Sequence, residues 1–287
     1  MISDNFYPPI FHTFDFRQFF TKENHMDKKA MESASFDINF YTGGYLPGTL
    51  TLYAGSTRKN IILASEAAKS VSSGRNVLYL VTSEKTRYAL ARVVSVLTGK
   101  GQRELHPMSE GELAGKLSGY PGRLSVFQVD ATRGMEQLPK VGNPDMVIAE
   151  GIDLMAAITA YDIKRLCMST DAAGIATVEV GCRESMRVLN PMWTRWSDAV
   201  VSCWEDENSR LFGMTGHQIL KNTFGSERVM FLSKTDPSTG WRSPTKCEMQ
   251  EYTSYMVELE TAVIHTQKPK ASKKQTADDM ETVGDYL

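Results

Sequence analysis

Residues 49–60 have the sequence TLTLYAGSTRKN, in which a short β-rich run passes through a polar loop directly into an Ala-rich helical stretch. Strand, loop and helix in this order form the context of a phosphate-binding loop. There, backbone N–H groups at a helix N-terminus hold phosphates and a lysine reaches the terminal ones. The candidate nucleotide-binding residues are therefore Ser56, Thr57, Arg58, Lys59 and Asn60.

The loop departs from the pattern G-x-x-x-x-G-K-[ST] when it is aligned on Lys59. Tyr53 stands at the first glycine, Arg58 at the second and Asn60 at the Ser/Thr position. Arg58 places a Cβ and a long side chain where glycine permits close backbone approach. Asn60 offers an amide in place of the hydroxyl that holds Mg²⁺. A plain βα turn with a solvated lysine therefore stays open as an alternative to a phosphate site.

Outward from this loop, predicted strands and helices alternate. The predicted strands cover residues 49–54, 76–81, 123–130, 145–151, 174–181 and 198–204, the helices cover 60–72, 86–97, 110–117 and 156–169, and a hairpin covers 218–222 with 228–233. Strands separated by helices of about 10–15 residues are typical of a parallel sheet, and near-continuous apolar strands indicate helices on both faces. The sequence predicts an α/β fold with a mostly parallel central sheet flanked by helices and an antiparallel C-terminal hairpin.

Two acidic residues follow predicted strands. Glu150 ends the apolar run PDMVIAE, an arrangement in which a carboxylate at the end of a strand organises Mg²⁺. Glu84 follows the strand NVLYLV and is a candidate for orienting an attacking water. Both are candidate catalytic residues. The alternative for each is an exposed acid at the end of a strand, which is common.

Composition excludes several classes of protein. The 287 residues are 41% hydrophobic and 23% charged, as in globular chains with a real core. No apolar run approaches the roughly 20 residues that cross a bilayer, and no secretory signal is visible. We therefore expect a cytoplasmic protein, in the host cytoplasm if it is phage-encoded. The four cysteines lack a C-x-x-C pair, so no metal site is expected. A net charge of -2 limits any nucleic-acid contact to a local patch.

Over roughly residues 40–245, the ordered series of segments resembles the ATPase domain of the DnaB-type replicative helicases, a branch of the RecA-like P-loop fold that includes phage helicases. The matching segments are GGYLPGTLTLYAG (43–55), NVLYLVTSE (76–84), PDMVIAEGIDLM (144–155), GIATVEVGCRES (174–185), WSDAVVSCWEDE (196–207) and GHQILKNTFG (216–225). The resemblance implies that Glu84 is the catalytic glutamate and that Glu150 is the Walker B acid.

The departures from this family concern its catalytic positions. Gly181 stands where a sensor glutamine is expected. Lys221 matches a basic residue that acts on the neighbouring subunit, but Thr223 stands at the arginine finger. That finger is worth on the order of a thousandfold in turnover. The resemblance therefore implies a helicase-like fold that has lost its motor chemistry and binds ATP and Mg²⁺ weakly at most.

The chain is predicted to have three parts: an N-terminal arm or linker (1–40), a RecA-like domain (41–266) and a disordered acidic tail (267–287). The arm is rich in aromatic residues, and residues 26–36 are compatible with a helix. In the tail, the predicted docking residues are Asp278, Asp279, Glu281, Asp285, Tyr286 and Leu287. A merely solubilising terminus is the alternative for this segment.

The predicted function is that of a binding or assembly factor in DNA replication or recombination, of phage or mobile-element origin, with little or no ATP hydrolysis. An active ATP-dependent single-stranded-DNA translocase and a structural protein on a recycled fold are the alternatives. Predicted partners are a second copy, a replicative helicase or replisome protein, and single-stranded DNA, but not a membrane. Arg183, Arg187 and Arg195 are the candidate DNA contacts; a solvated basic face is the other reading.

Overall fold

The computed structural model describes residues 30–55, 58–82, 86–138, 143–180, 189–236 and 240–266, without the side chains of residues 260–266. The strands are β1 (Leu50–Gly55), β2 (Asn76–Val81), β3 (Arg123–Gln128), β4 (Met146–Ala149), β5 (Ala173–Glu179), β6 (Ala199–Trp204), β7 (Met214–Asn222), β8 (Met230–Asp236) and β9 (Gly240–Arg242). The helices are α1 (Phe36–Thr42), α2 (Lys59–Ser72), α3 (Thr86–Thr98), α4 (Gln102–Leu105), α5 (Glu110–Leu117), α6 (Ala160–Thr170), α7 (Pro191–Thr194), α8 (Glu207–Leu211) and α9 (Lys246–Thr266).

The described strands form one sheet in the order β3-β2-β4-β5-β1-β6-β7-β8-β9. The strands from β3 to β6 pair in parallel, whereas β7, β8 and β9 extend the sheet as antiparallel neighbours. The predicted fold class is therefore confirmed, including the hairpin, although β7 starts four residues before the predicted Gln218. In a parallel sheet the carboxyl ends of the strands meet at one edge, which is where ligands bind in open α/β sheets.

Helices cover both faces of the parallel part, as the apolar strands predict. One cluster of buried residues joins β1, β2, α2 and α3, and it includes Tyr53, Tyr79 and Trp241. A second cluster lies on the opposite face, where Leu50 and Leu52 pack with the buried side of α6. Alternate residues of β1 thus enter different clusters, because successive side chains of a strand point to opposite faces.

Two boundaries differ from the predicted ones. Residues 30–35 are not helical; instead Met31 forms a β-bridge with Tyr45, and the helix starts at Phe36. The predicted domain boundary after residue 40 falls within α1, whose Ile38 is buried in the core. Farther along, α6 begins at Ala160 rather than Ala156, because Thr159 and Asp162 form a capping box there.

A buried acid holds the segment before α1. Glu66 on α2 is fully buried and accepts hydrogen bonds from the Ser33 hydroxyl at 2.6 Å and the Ala34 N–H at 3.0 Å. Burial raises the pKa of Glu66 to about 7, against the lowering by these two donors. The folded protein therefore binds a proton at Glu66 more tightly than the unfolded chain does.

This pKa predicts how stability depends on pH. Because the folded-state pKa of Glu66 is raised, its protonation stabilises the fold below about pH 4.5, and this contribution is lost as the pH rises through about 7. We expect wild type to lose about 2–3 kcal/mol of unfolding free energy between pH 5 and 8 relative to Glu66→Gln. Urea unfolding at a series of pH values measures this. Glu207→Gln, at an exposed position, is the matched control, and parallel curves for wild type and Glu66→Gln would contradict the assignment.

Candidate functional site

Lys59 and Glu150 lie at the same edge of the sheet, where the carboxyl ends of β1, β4 and β5 meet. The backbone N–H of Gly151 donates to the Thr177 hydroxyl at 2.9 Å, and the Lys59 amine donates to the Val178 carbonyl at 2.9 Å. The two candidate residues therefore flank consecutive residues of β5. This is the arrangement that a shared phosphate and Mg²⁺ site requires.

The Lys59 amine is engaged by its own chain. Besides the Val178 carbonyl it contacts the Glu179 carboxylate at 3.2 Å. The Lys59 side chain is largely buried, whereas that of Glu179 is 68% exposed. An ion pair with so exposed a partner is worth less than about 1 kcal/mol, so the carbonyl does as much as the carboxylate to orient the amine.

Arg58 occupies a backbone position that favours glycine. Its φ of 54° and ψ of 7° place it in the left-handed region just before α2. Such a conformation costs a non-glycine residue roughly 1 kcal/mol or more. The guanidinium contacts the Glu205 carboxylate at 2.8 Å and the Thr235 carbonyl at 3.3 Å. Because the Glu205 side chain is only 4% exposed, this pair links the loop firmly to the ends of β6 and β8.

The remaining predicted loop residues give the site little to hold a cation. Asn60 is exposed on the first turn of α2, while Ser56, Thr57 and Glu84 lie outside the described residues. Across the part of the chain that the structure describes, no group of three or more His, Cys, Asp or Glu side chains could hold a metal ion. The donor set around Lys59 therefore does not fit a bound Mg²⁺, for which oxygen ligands must converge.

Glu150 is held by two donors from neighbouring elements. The Tyr79 hydroxyl on β2 donates to its carboxylate at 2.9 Å, and the Arg92 guanidinium on α3 contacts the same oxygen at 3.0 Å. Burial raises the pKa of Tyr79 well above its usual value, with a further contribution from the charge of Glu150, so the phenol stays protonated. Arg92 is itself buried. The carboxylate is thus directed toward α3.

A series of buried polar side chains lies behind the loop, on β6, β7 and β8. The Cys203 sulfur lies 3.3 Å from His217 Nδ1, and His217 Nε2 lies 2.6 Å from the Ser233 hydroxyl. Burial lowers the pKa of His217 to about 3 and raises that of Cys203. The imidazole is therefore neutral and the thiol protonated at neutral pH, so this Cys–His–Ser series joins three strands rather than acting as a nucleophile.

The two predicted interface residues lie at the opposite edge of the sheet, near the start of β6. The Lys221 amine donates to the backbone carbonyls of Ser197 at 2.5 Å and Thr194 at 3.1 Å. The Thr223 hydroxyl and backbone N–H both donate to the Asp198 carbonyl at 2.9 Å. Neither side chain can reach the Lys59 edge of its own chain, since the length of the parallel strands separates them.

Of the predicted DNA contacts, the structure describes only Arg195; Arg183 and Arg187 lie outside the described residues, as do Gly181 and the tail residues. The Arg195 guanidinium lies over the Trp196 ring at 5.4 Å from its centroid. Trp196 and Trp193 pack partly against the second buried cluster. Among the described helices, none combines the length and apolar character needed to span a membrane.

Sequence reasoning missed the side chains that engage the predicted site. Glu179 ends β5 and Glu205 directly follows β6, so the signal that singled out Glu150, an acid after an apolar strand, was present in both. Arg92 interrupts the apolar stretch ALARVV of α3, and a charge on a buried helix face indicates a buried partner. Tyr79 lies inside an apolar strand, where nothing in the sequence distinguishes its hydroxyl.

Comparison of the sequence with protein-family models and with curated proteins finds no match. Among solved structures, the fold is similar to an isolated ATPase domain of a DnaB-like helicase, with a TM-score of 0.57 and 12% identity over 76% of this chain and 94% of that chain. It is also similar to a DnaB-like replicative helicase whose structure describes its interactions with primase, with a TM-score of 0.53 and 12% identity over 74% of this chain and 61% of that chain.

This chain therefore spans nearly all of the isolated ATPase domain and less than two thirds of the DnaB-like helicase that was solved for its interactions with primase. Likeness at 12% identity shows the fold alone. The chain has the RecA-like fold of DnaB-type ATPase domains, as the resemblance of its segments predicted.

Proposed function

We propose that this protein is a helicase-fold binding and assembly factor of DNA replication or recombination, of phage origin, that hydrolyses little or no ATP. The fold supports the link to replicative helicases. The observation that carries the loss of activity is the pairing of Glu150 with Arg92 and Tyr79. The acid that would organise Mg²⁺ is already held by two donors of its own chain.

The other parts of the site support the same proposal. Arg58 fills a left-handed position where a phosphate loop needs the small glycine, and its guanidinium is paired with Glu205. Asn60 supplies an amide where Mg²⁺ needs a hydroxyl oxygen. Thr223 carries no positive charge for a neighbouring phosphate. Each change weakens transition-state stabilisation, which is almost the whole of catalysis in phosphoryl transfer.

An active ATP-dependent translocase on single-stranded DNA is the second candidate. One observation favours it: Lys59 and Glu150 lie at the same edge of the sheet, beside consecutive residues of β5. In that case the Lys59 amine would exchange Glu179 for a phosphate, and Glu150 would have to leave Arg92.

Turnover measurements separate the two candidates. Under the proposed function, ATP hydrolysis with Mg²⁺ and single-stranded DNA is no faster than in Lys59→Ala. Nucleotide titration is expected to show weak binding that Mg²⁺ does not tighten. Hydrolysis that depends on DNA and disappears in both Lys59→Ala and Glu150→Gln would contradict the proposal and support the translocase.

Removing the acid beside Lys59 tests how far the amine is available. Because Glu179 is largely exposed, its ion pair is worth about 0.2–1 kcal/mol, and Glu179→Ala should tighten ATP binding by about two- to fivefold. Titration of a fluorescent nucleotide measures this. Glu207→Ala removes an exposed acid elsewhere and should leave the affinity unchanged. Equal affinities for Glu179→Ala and wild type would show that Lys59 does not contact nucleotide.

The remaining partners are part of the proposal. DNA contact through Arg195, with Arg183 and Arg187, accords with a chain of net charge -2, which can bind nucleic acid only through a local patch. We further propose that the acidic tail from Asp278 to Leu287 docks on a replisome partner. Loss of partner capture in a chain that ends at residue 266 would support this role.

A further inference from the structure

The helix α9 is long, yet little of it is covered by its own chain. It spans Lys246–Thr266, and among its described side chains, up to residue 259, none is buried. Phe212 packs against Tyr252 and Tyr255 with ring centroids at 5.6 Å and 5.2 Å. A helix of this length normally draws its stability from an apolar face packed on a partner.

The outward face of α9 is acidic with an apolar residue between its charges. Glu251 and Glu258 are exposed and stand seven residues apart, which places them on one face about 10 Å from each other. Val257, which is 56% exposed, lies between them. This face presents two negative charges around an apolar contact point.

A face of complementary character lies on α6 and α7. Tyr161, Arg165 and Met168 follow the i, i+4, i+7 spacing of one exposed helix side, and Met168 is 63% exposed. The Arg165 guanidinium lies 5.7 Å from the Tyr161 ring centroid, which lies 4.6 Å from that of Trp196. Arg195 covers Trp196 from the other side of this series. Met192 beside them is 55% exposed. Two positive charges thus bound an aromatic and apolar surface.

We propose that α9 of one molecule docks on the α6–α7 face of a second copy of this chain. Glu251 and Glu258 pair with Arg165 and Arg195, and Val257 contacts the exposed methionines. The inference rests on the proposed function only in that self-assembly is part of it. Like charges would meet if two α9 helices or two α6–α7 faces paired, so opposite charge selects contact between the two different faces.

The contact must join two molecules. In its own chain, α9 is anchored at the β9 edge, where Glu248 pairs with Arg242 at 2.8 Å. The helix α6 packs on β4, β5 and β1, and four strands separate β5 from β9 in the sheet order. Neighbouring strands are about 4.8 Å apart, which puts the two anchor points roughly 24 Å apart. Pairing of unlike faces is head-to-tail, so it closes into a ring or continues as a filament.

Charge reversal on either face tests the proposal in the full chain. Sedimentation velocity over a range of concentrations should show that wild type self-associates, and more weakly at high salt. The double variants Glu251→Arg, Glu258→Arg and Arg165→Glu, Arg195→Glu should each weaken this association by about tenfold or more. Glu104→Arg and Arg133→Glu, at exposed positions on other elements, are the matched controls and should associate like wild type.

Mixing the two double variants is the decisive measurement, since their reversed faces are again complementary. An equimolar mixture should regain assembly that neither variant shows alone, which a folding defect could not produce. A monomeric wild type, or a mixture that stays dissociated, would overturn the proposal. So would labelled single-stranded DNA that binds wild type and not Arg165→Glu, Arg195→Glu while both assemble equally. Because size is measured without nucleotide, failure here is distinct from failure of the proposed loss of ATP hydrolysis.

Discussion

Replacing Arg92 by Met should destabilise the fold by about 2–4 kcal/mol, because it leaves the Glu150 carboxylate without its cation in a mostly buried position. Met has a similar length and fills the volume, so the loss comes from charge rather than from a cavity. Tyr79 alone cannot compensate, since a neutral donor stabilises a carboxylate less than a guanidinium does. Urea unfolding at pH 7 measures the change.

Removing the charge at both positions separates pairing from packing. In the double variant Arg92→Met, Glu150→Gln, the amide oxygen still accepts the Tyr79 hydrogen bond and no unpaired carboxylate remains. We therefore expect the double variant to be more stable than Arg92→Met alone, although it carries one substitution more. If the two losses simply add, Glu150 does not depend on Arg92, and its carboxylate is available to organise Mg²⁺.

The fold could be predicted because its strands carry their own signal. Near-continuous apolar runs such as those of β2 and β4 have few alternatives to a strand covered on both faces. The start of the domain could not be predicted in this way. Residues 30–35 are compatible with a helix by composition, but the buried Glu66 binds Ser33 and Ala34 and holds them in a non-helical form. That contact spans more than thirty residues of sequence.

The site was predictable in position but not in its partners. Lys59 and Glu150 follow strands that the α/β pattern places in one parallel sheet, so their shared edge follows from topology. Which side chain pairs with Glu150 depends on how α3 crosses the sheet, and no local spacing encodes this. The helix α9 did carry a local signal, because Thr245 and Glu248 form a capping box before a stripe of apolar residues.

Gly55, at the end of β1, is expected to tolerate no side chain. A Cβ there would overlap the Cys203 carbonyl oxygen on the paired strand β6 and would come within 3.0 Å of the Cys203 Cβ. Neither backbone can yield without separating β1 from β6 at the centre of the sheet, where the loop to Lys59 begins. We expect Gly55→Ala to cost about 2–4 kcal/mol in urea unfolding, as overpacking in a core does.

The same substitution at an open position should have the opposite sign. Gly115 lies within α5, and a Cβ added there would meet no atom within 4 Å. Gly115→Ala should therefore stabilise the protein by about 0.5–1 kcal/mol, because alanine loses less backbone entropy on folding. If Gly55→Ala were equally harmless, β1 and β6 would be free to move apart at the loop. Arg58 and Glu205, which join the same two strands, would then have to shape the entrance to Lys59 through their ion pair.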